Sequence, residues 1–235
     1  MWRFDLSGAV SAWNVRKLAT LVDPGGIAQP ISTAPELIVT QNKRMVIIGT
    51  GLLIGQSDVA TTQVQSIYAL VDDQSTSPTI AAPRTALLQK TVTVGAGNVR
   101  NIPSDAIDLS TYKGWYWDLP GSGERLSDDL SAVFGAVVFA TNQPSPTACN
   151  AKSYIYVVDA AHGGQLPNGG FLAGETPWSG KQLGATFAAQ PVIALLASGM
   201  VEALTHGSDN SLAVTRLPLS GTSKVKRITW KDVLR

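Results

Sequence analysis

Three stretches of this chain repeat one another, and the repeat limits the possible folds more than any bulk figure. Val46-Ile-Ile-Gly-Thr50-Gly51, Val137-Val-Phe-Ala-Thr141-Asn142 and Val201-Glu-Ala-Leu-Thr205-His206 are each an apolar run closed by Thr and a turn. A polar loop then leads to a second strand: Ser66 to Asp72, Ser153 to Asp159 and, more weakly, Leu212 to Leu217. A further second-type strand, Trp2 to Leu6, opens the chain. Ala28-Gln29-Pro30-Ile31 and Ala189-Gln190-Pro191-Val192 add another layer, each about one strand ahead of a Val…Thr unit. Self-similarity at this scale predicts an array of small sheets, none able to cover its own faces.

The strands support that reading. Val, Ile and Tyr dominate Met45–Gly49, Ser66–Asp72, Val133–Thr141 and Tyr154–Asp159, as strands prefer. Several are apolar on both faces. Ile67, Ala69 and Val71 point one way, Tyr68 and Leu70 the other, so both faces should be covered. Ala86–Val94 is more mixed and fits an outer strand. Turns fall at Asp23-Pro-Gly-Gly26, Gly95–Gly97, Pro120–Gly123, Gly163-Gly164 and Pro167–Gly170. Lys231–Arg235 is the one weak helix candidate. The expected fold is all-β: a partial β-propeller of about three to four antiparallel blades, with a pair of β-sandwiches as the alternative. The blade pieces read as about 1–25, 26–98, 99–165 and 166–235. Thr50 and Thr141 are 91 residues apart, and Thr141 and Thr205 are 64 apart. Both spacings exceed the ~40–45 of a compact propeller repeat, so the loops are enlarged.

Composition excludes some functions. The formal net charge is +1 over 235 residues, which gives no field to attract nucleic acid. Charged residues are 15%, against roughly 25% in an average domain. Ser, Thr, Asn and Gln carry the polarity instead, as in exported surface β proteins. No apolar stretch approaches the ~18 residues of a membrane span; the longest, Val133–Ala140, reads as a strand. Met1-Trp-Arg-Phe-Asp5 lacks the basic start and apolar core of a signal peptide. The chain is therefore cytosolic, or its export signal lies outside this sequence. The single cysteine, Cys149, lies in a polar loop. It reads either as an inert small side chain or as a thiol whose partner is elsewhere.

The order of several segments resembles the C-terminal β-propeller of the PilC/PilY proteins, type IV pilus tip-associated adhesins and biogenesis factors. These segments include Trp2–Leu6, Gln29–Ile31, Ala34–Leu37, Gly49–Gly51, Gln65–Ala69 and Ser153–Gly164. The most specific is Gly114-Trp-Tyr-Trp-Asp-Leu-Pro120 followed by Gly123-Glu-Arg125. The resemblance implies a C-terminal portion of one propeller, 1–235, that reads like the last blades of a longer exported protein. It implies pilus assembly, by working against retraction, with twitching motility and surface attachment. It also implies a place at the pilus tip, cell surface or outer membrane. The implied partners are minor pilins at the tip, a host or abiotic surface, and the remaining blades of the ring. Family members commonly carry an Asp-rich calcium loop just upstream of the Trp-Arg-Phe-Asp-Leu strand. No such run occurs here, so calcium is expected in a full-length protein and no metal or other cofactor in this segment.

No candidate catalytic, cofactor or metal residue survives comparison with a structural reading. Gly49-Thr-Gly51-Leu-Leu-Ile54-Gly55 has Ile where a dinucleotide fingerprint needs its third glycine, and reads as a strand-ending turn. His162 and His206 flank glycines without zinc spacing or a nucleophile elbow, and read as exposed loop histidines. Asp72-Asp73 and Asp128-Asp129 supply too few oxygens for calcium and read as solvated turns. Trp115-Tyr116-Trp117 could be an adhesive strip but reads as packing between blades. Lys224–Arg227 reads as a solvated edge that discourages sheet-to-sheet association. The expectation is a non-enzymatic scaffold. The alternatives are a quinoprotein-type propeller dehydrogenase, which needs polar groups converging on a cofactor, and a carbohydrate-binding surface propeller.

Overall fold

The computed structural model describes residues 1–73, 80–145, 151–166 and 175–219, with the backbone of 226–227. Strands dominate. In chain order they are β1 (Trp2–Asp5), β2 (Asn14–Lys17), β3 (Glu36–Thr40), β4 (Lys43–Gly49), β5 (Ser66–Asp72) and β6 (Leu88–Gln89). Next come β7 (Thr93–Val94), β8 (Arg100–Asn101), β9 (Gly114–Asp118), β10 (Ser131–Val133), β11 (Ala136–Gln143) and β12 (Lys152–Asp159). The last are β13 (Gly180–Gly184), β14 (Val192–Leu195), β15 (Val201–His206), β16 (Leu212–Leu217) and β17 (Lys226–Arg227). The α-helices among the described residues are single turns, Gln56–Val59 and Pro83–Ala86.

Four sheets result. β1 and β2 form a hairpin; a second sheet runs β17-β3-β4-β5-β9-β6; a third runs β10-β11-β12-β13-β8-β7; the last is β14-β15-β16. Neighbours pair antiparallel except β6 with β9.

The strand period of two sorts side chains into layers. Met45, Ile47, Ile67, Ala69, Trp115 and Trp117 of the second sheet share one buried cluster with Val137, Phe139, Tyr154 and Tyr156 of the third. The opposite face of the second sheet presents Val46, Ile48, Tyr68, Leu70 and Tyr116 to Ala19, Leu21 and Ile80. The far face of the third sheet packs Val138, Ile155 and Val157 on Val201, Ala203 and Leu217 of the last. The stack therefore runs N-terminal segment, second sheet, third sheet, last sheet. The two central sheets are buried on both sides, as the two-faced apolar strands require.

Three details differ from the sequence reading. Val133–Thr141 is a hairpin rather than one strand: Phe134 and Gly135 take φ of 47° and 83°. Two successive left-handed residues make the tight turn that joins antiparallel strands, and Phe-Gly is an unusual sequence for it. Ala86–Val94 is broken. Pro83 opens a helical turn, β6 joins the second sheet, and β7 joins the third. The sheets also divide the chain differently from the sequence spacing. β9 pairs with β5, and β13 with β12, so sheet membership crosses the spacings at 98/99 and 165/166. Cys149, Pro167–Gly170 and Lys231–Arg235 lie outside the described residues.

Candidate functional site

The segment from Gly114 to Leu126 carries the densest chemistry. It supplies β9 and then crosses from the second sheet to the third. Gly114, at φ 131°, lies so close to Ala69 that an added Cβ would sit 1.9 Å from its carbonyl oxygen. Trp115 donates Nε1–H to Ala160 O at 3.3 Å. Trp117 stacks against Phe139 at 6.1 Å between ring centres and tilts against Tyr156 at 5.3 Å. Both indoles are fully buried. They form the joint between two sheets.

Glu124 and Arg125 follow, also buried. The Glu124 carboxylate accepts from Thr141 Oγ1 at 2.7 Å, Tyr156 OH at 2.9 Å and Gly121 N at 3.0 Å. Arg100 places Nη1 3.2 Å from Glu124 Oε2 and its guanidinium 3.9 Å from the centre of the Tyr154 ring. Burial opposes the Arg100 charge, but Tyr156, Glu124 and Tyr154 outweigh it and hold its pKa above the usual value. Burial, then Glu124, pushes the Tyr156 phenol well above its usual pKa. Arg125 turns the other way. Its Nη1 donates to Leu52 O at 2.8 Å and Asp58 O at 2.7 Å, its Nη2 to Thr61 O at 2.7 Å. It thereby ties the loop after β4 to the crossing strand. Gly51 allows this approach: a Cβ there would lie 2.6 Å from Leu126 O.

A second polar cluster holds the N-terminal segment to the second sheet. Asp118 accepts from Ser66 Oγ at 2.6 Å and from both Nη atoms of Arg84, at 3.0 and 2.5 Å. Tyr68 OH donates to Gln29 Oε1 at 2.6 Å, and Gln29 Nε2 to Ser66 Oγ at 2.9 Å. Gln29 is thus the buried anchor of the first Ala-Gln-Pro unit. Gln190 of the second is exposed.

These clusters combine cation–carboxylate pairs with hydrogen bonds that cross between sheets and loops, an arrangement suited to holding sheets together, while Arg100 Nε and Nη1 and Trp117 Nε1 are buried without a hydrogen-bond acceptor among the described residues. Three comparisons bear on what they hold. Residues 1–99 match the family model of the PilY1 beta-propeller domain. The chain is 28% identical over 257 residues to the type IV pilus biogenesis factor PilY1 homolog of Xylella fastidiosa, covering 100% of this chain and 20% of that protein. The crystal structure of the Pseudomonas aeruginosa PilY1 C-terminal domain matches with a TM-score of 0.65 at 22% identity, over 87% of this chain and 50% of that one. The chain is PilY1-like. Its fold is all-β, a partial β-propeller, and the chain spans a fifth of the length of the curated relative it matches.

Within this PilY1-type chain the residues weighed in the sequence fall as follows. Gly49-Thr-Gly51 ends β4, and the following helix has four residues; no dinucleotide loop forms. His206 is exposed. His162, expected to be exposed, is not. Its side chain is 14% exposed, 3.4 Å from Asp159 Oδ1, and its Nδ1 accepts from Gly164 N at 3.3 Å. It sits inward because Gly163 and Gly164 press the turn onto Trp115 and Pro103. Burial, reinforced by Lys90, lowers its pKa against the pull of Asp159. Of the aspartates expected in solvated turns, Asp73 and Asp129 are exposed, while Asp72 and Asp128 are half-buried. Asp72 pairs with Arg3 and Asp73 with Lys113; Asp129 accepts from Ala34 N at 2.7 Å, and burial raises the pKa of Asp128. Among the described residues no three His, Cys, Asp or Glu side chains converge as a metal site would need. No helix among them is long and apolar enough to cross a membrane.

Sequence reasoning singled out Gly123-Glu-Arg125 as wording without assigning a role. It missed Arg100, Arg84 and Lys90, whose only available signal was a charge in a charge-poor chain.

Proposed function

We propose that this chain is a non-enzymatic module of type IV pilus biogenesis, with roles in pilus assembly against retraction, twitching motility and surface attachment. The observation that supports it is the match of the whole chain to a type IV pilus biogenesis factor homolog, together with a fold in which the buried Glu124 and Arg125 tie sheets and loops to one another. In this reading the protein is exported and works at the pilus tip or cell surface. Minor pilins and a host or abiotic surface are its partners. Calcium belongs to the longer protein rather than to this segment. The remaining blades of the ring would cover the apolar residues left open at the two ends of the stack. These are Trp2, Phe4 and Val15 at one end and Val192, Leu212 and Val214 at the other, all 48–68% exposed.

The test is genetic. Removing the coding region in a piliated host should abolish surface pili, and deleting the retraction motor as well should restore them. Unchanged piliation and twitching would overturn the proposal, as would quinone bound to the purified full-length protein.

A further inference from the structure

A cavity of about 370 Å³ lies between the β1–β2 hairpin and the end of the second sheet. Its volume is at the small end of the roughly 300–1,000 Å³ of small-molecule sites. Four cationic side chains line it, Arg3, Arg16, Lys17 and Lys113, with the carboxylates of Asp72 and Asp73. The lining is two positive charges in excess, in a protein whose net charge is only +1. Leu18, Ile80 and Ala82 give it an apolar wall.

The hairpin register adds an independent observation. Arg3 and Arg16 stand directly opposite each other across β1 and β2. Like charges in that relation destabilise a strand pair. Asp72 pairs with Arg3 and Asp73 with Lys113, and the lining still counts two more cations than carboxylates. Arginine forks present planar donor pairs that match carboxylate and phosphate oxygens. No side chain lining the cavity pairs a nucleophile with a histidine base, so the chemistry on offer is binding.

We propose that this cavity binds a small organic dianion, a phosphate monoester or a dicarboxylate, on a compact apolar body. The head group meets the basic rim, and the body lies against Ile80 and Ala82. This site is independent of the pilus reading and stands or falls by itself.

Isothermal titration of the full chain at 0.15 M salt, where diffuse surface attraction is screened beyond about 8 Å, tests it. Phenyl phosphate and phenylsuccinate separate the two head groups; inorganic phosphate and benzyl alcohol carry the head or the body alone. At least one of the two aromatic dianions should bind saturably at 1:1, with Kd below about 1 mM, a free energy beyond about −4 kcal/mol. Inorganic phosphate and benzyl alcohol should each bind at least about tenfold more weakly, a loss of about 1.4 kcal/mol. Arg16→Gln and Ala82→Leu, each checked for folding by circular dichroism, should both weaken the dianion by a similar factor. The second keeps every charge and fills the space, so it separates a site from general attraction. Absence of saturable binding, or affinity unchanged by Ala82→Leu, would overturn the proposal.

Discussion

Replacing Glu124 by Gln removes one charge from the joint between the two central sheets while keeping shape and volume. In the native protein the carboxylate is fully buried and accepts three hydrogen bonds, with Arg100 3.2 Å away and 2% exposed. Gln keeps one acceptor oxygen but turns an NH2 toward a donor. The larger loss falls on Arg100, which becomes an uncompensated cation with no path to water. Breaking a buried pair on one side costs about 3–5 kcal/mol, and the retained oxygen argues for about 3. In a chain of this size that lowers Tm by roughly 6–12 °C, at ~2–4 °C per kcal/mol. Adding Arg100→Met removes the stranded charge and keeps an apolar contact on Tyr154. The double variant should therefore be more stable than the two single losses sum to, by at least about 1 kcal/mol. Urea titrations followed by tryptophan fluorescence read all four corners of the cycle. If Glu124→Gln lies within about 1 kcal/mol of wild type, or the cycle is additive within about 0.5 kcal/mol, the charges do not act as a pair and the account of the joint is wrong.

The repeated threonines should respond unequally. Thr50 Oγ1 accepts from the buried Ser66 N at 2.8 Å, so Thr50→Val leaves that N–H unsatisfied and should cost about 1–3 kcal/mol. Thr205 Oγ1 is buried without a hydrogen bond, so Thr205→Val should be neutral or stabilising in the same titration. Gly163→Ala meets both a φ of 71° and the Trp115 ring 2.4 Å from the new Cβ. It should lose at least about 2 kcal/mol, more than backbone strain alone, and should red-shift tryptophan emission. His162 makes stability pH-dependent. Its folded pKa lies below its unfolded value near 6.5, so the unfolded chain binds the extra proton first. The His162 contribution is complete above about pH 6.5 and is lost as pH falls through that value toward the folded pKa. A His162→Gln variant should flatten the urea midpoint between about pH 7 and 5; an unchanged slope would remove the histidine from the account.

Much of the architecture was legible because each signal used a single period. Two-faced apolar strands such as Ser66–Asp72 can only lie between two layers, and β5 does. Trp115 and Trp117 read as packing because two large aromatic side chains, two residues apart on one strand face, bury best between sheets. What was illegible depends on pairing across the chain. Nothing local says that β9 belongs with β5, or that β7 and β8 leave their neighbours to extend the third sheet. Phe134-Gly135 hides a hairpin turn inside an apolar run. The buried charges were unreadable for the same reason: Arg100, 24 residues before Glu124, meets it only when β8 pairs with β13.

That last contact explains why a charge-poor chain keeps ions inside. Apolar faces that repeat through the stack, Val-Ile against Val-Phe, could slide or pair with the wrong neighbour, since one strand resembles the next. A buried Glu124 satisfied only by Thr141, Tyr156, Gly121 and Arg100 tolerates one arrangement, as does Arg125 with its three carbonyls in the loop after β4. Such groups add little net stability compared with an apolar core, and their cost rises steeply in any misplaced stack. In a repeat protein the penalty for being wrong is what the apolar pattern lacks. The Gly-Glu-Arg wording that marked the sequence therefore supplies contacts that fix sheet order.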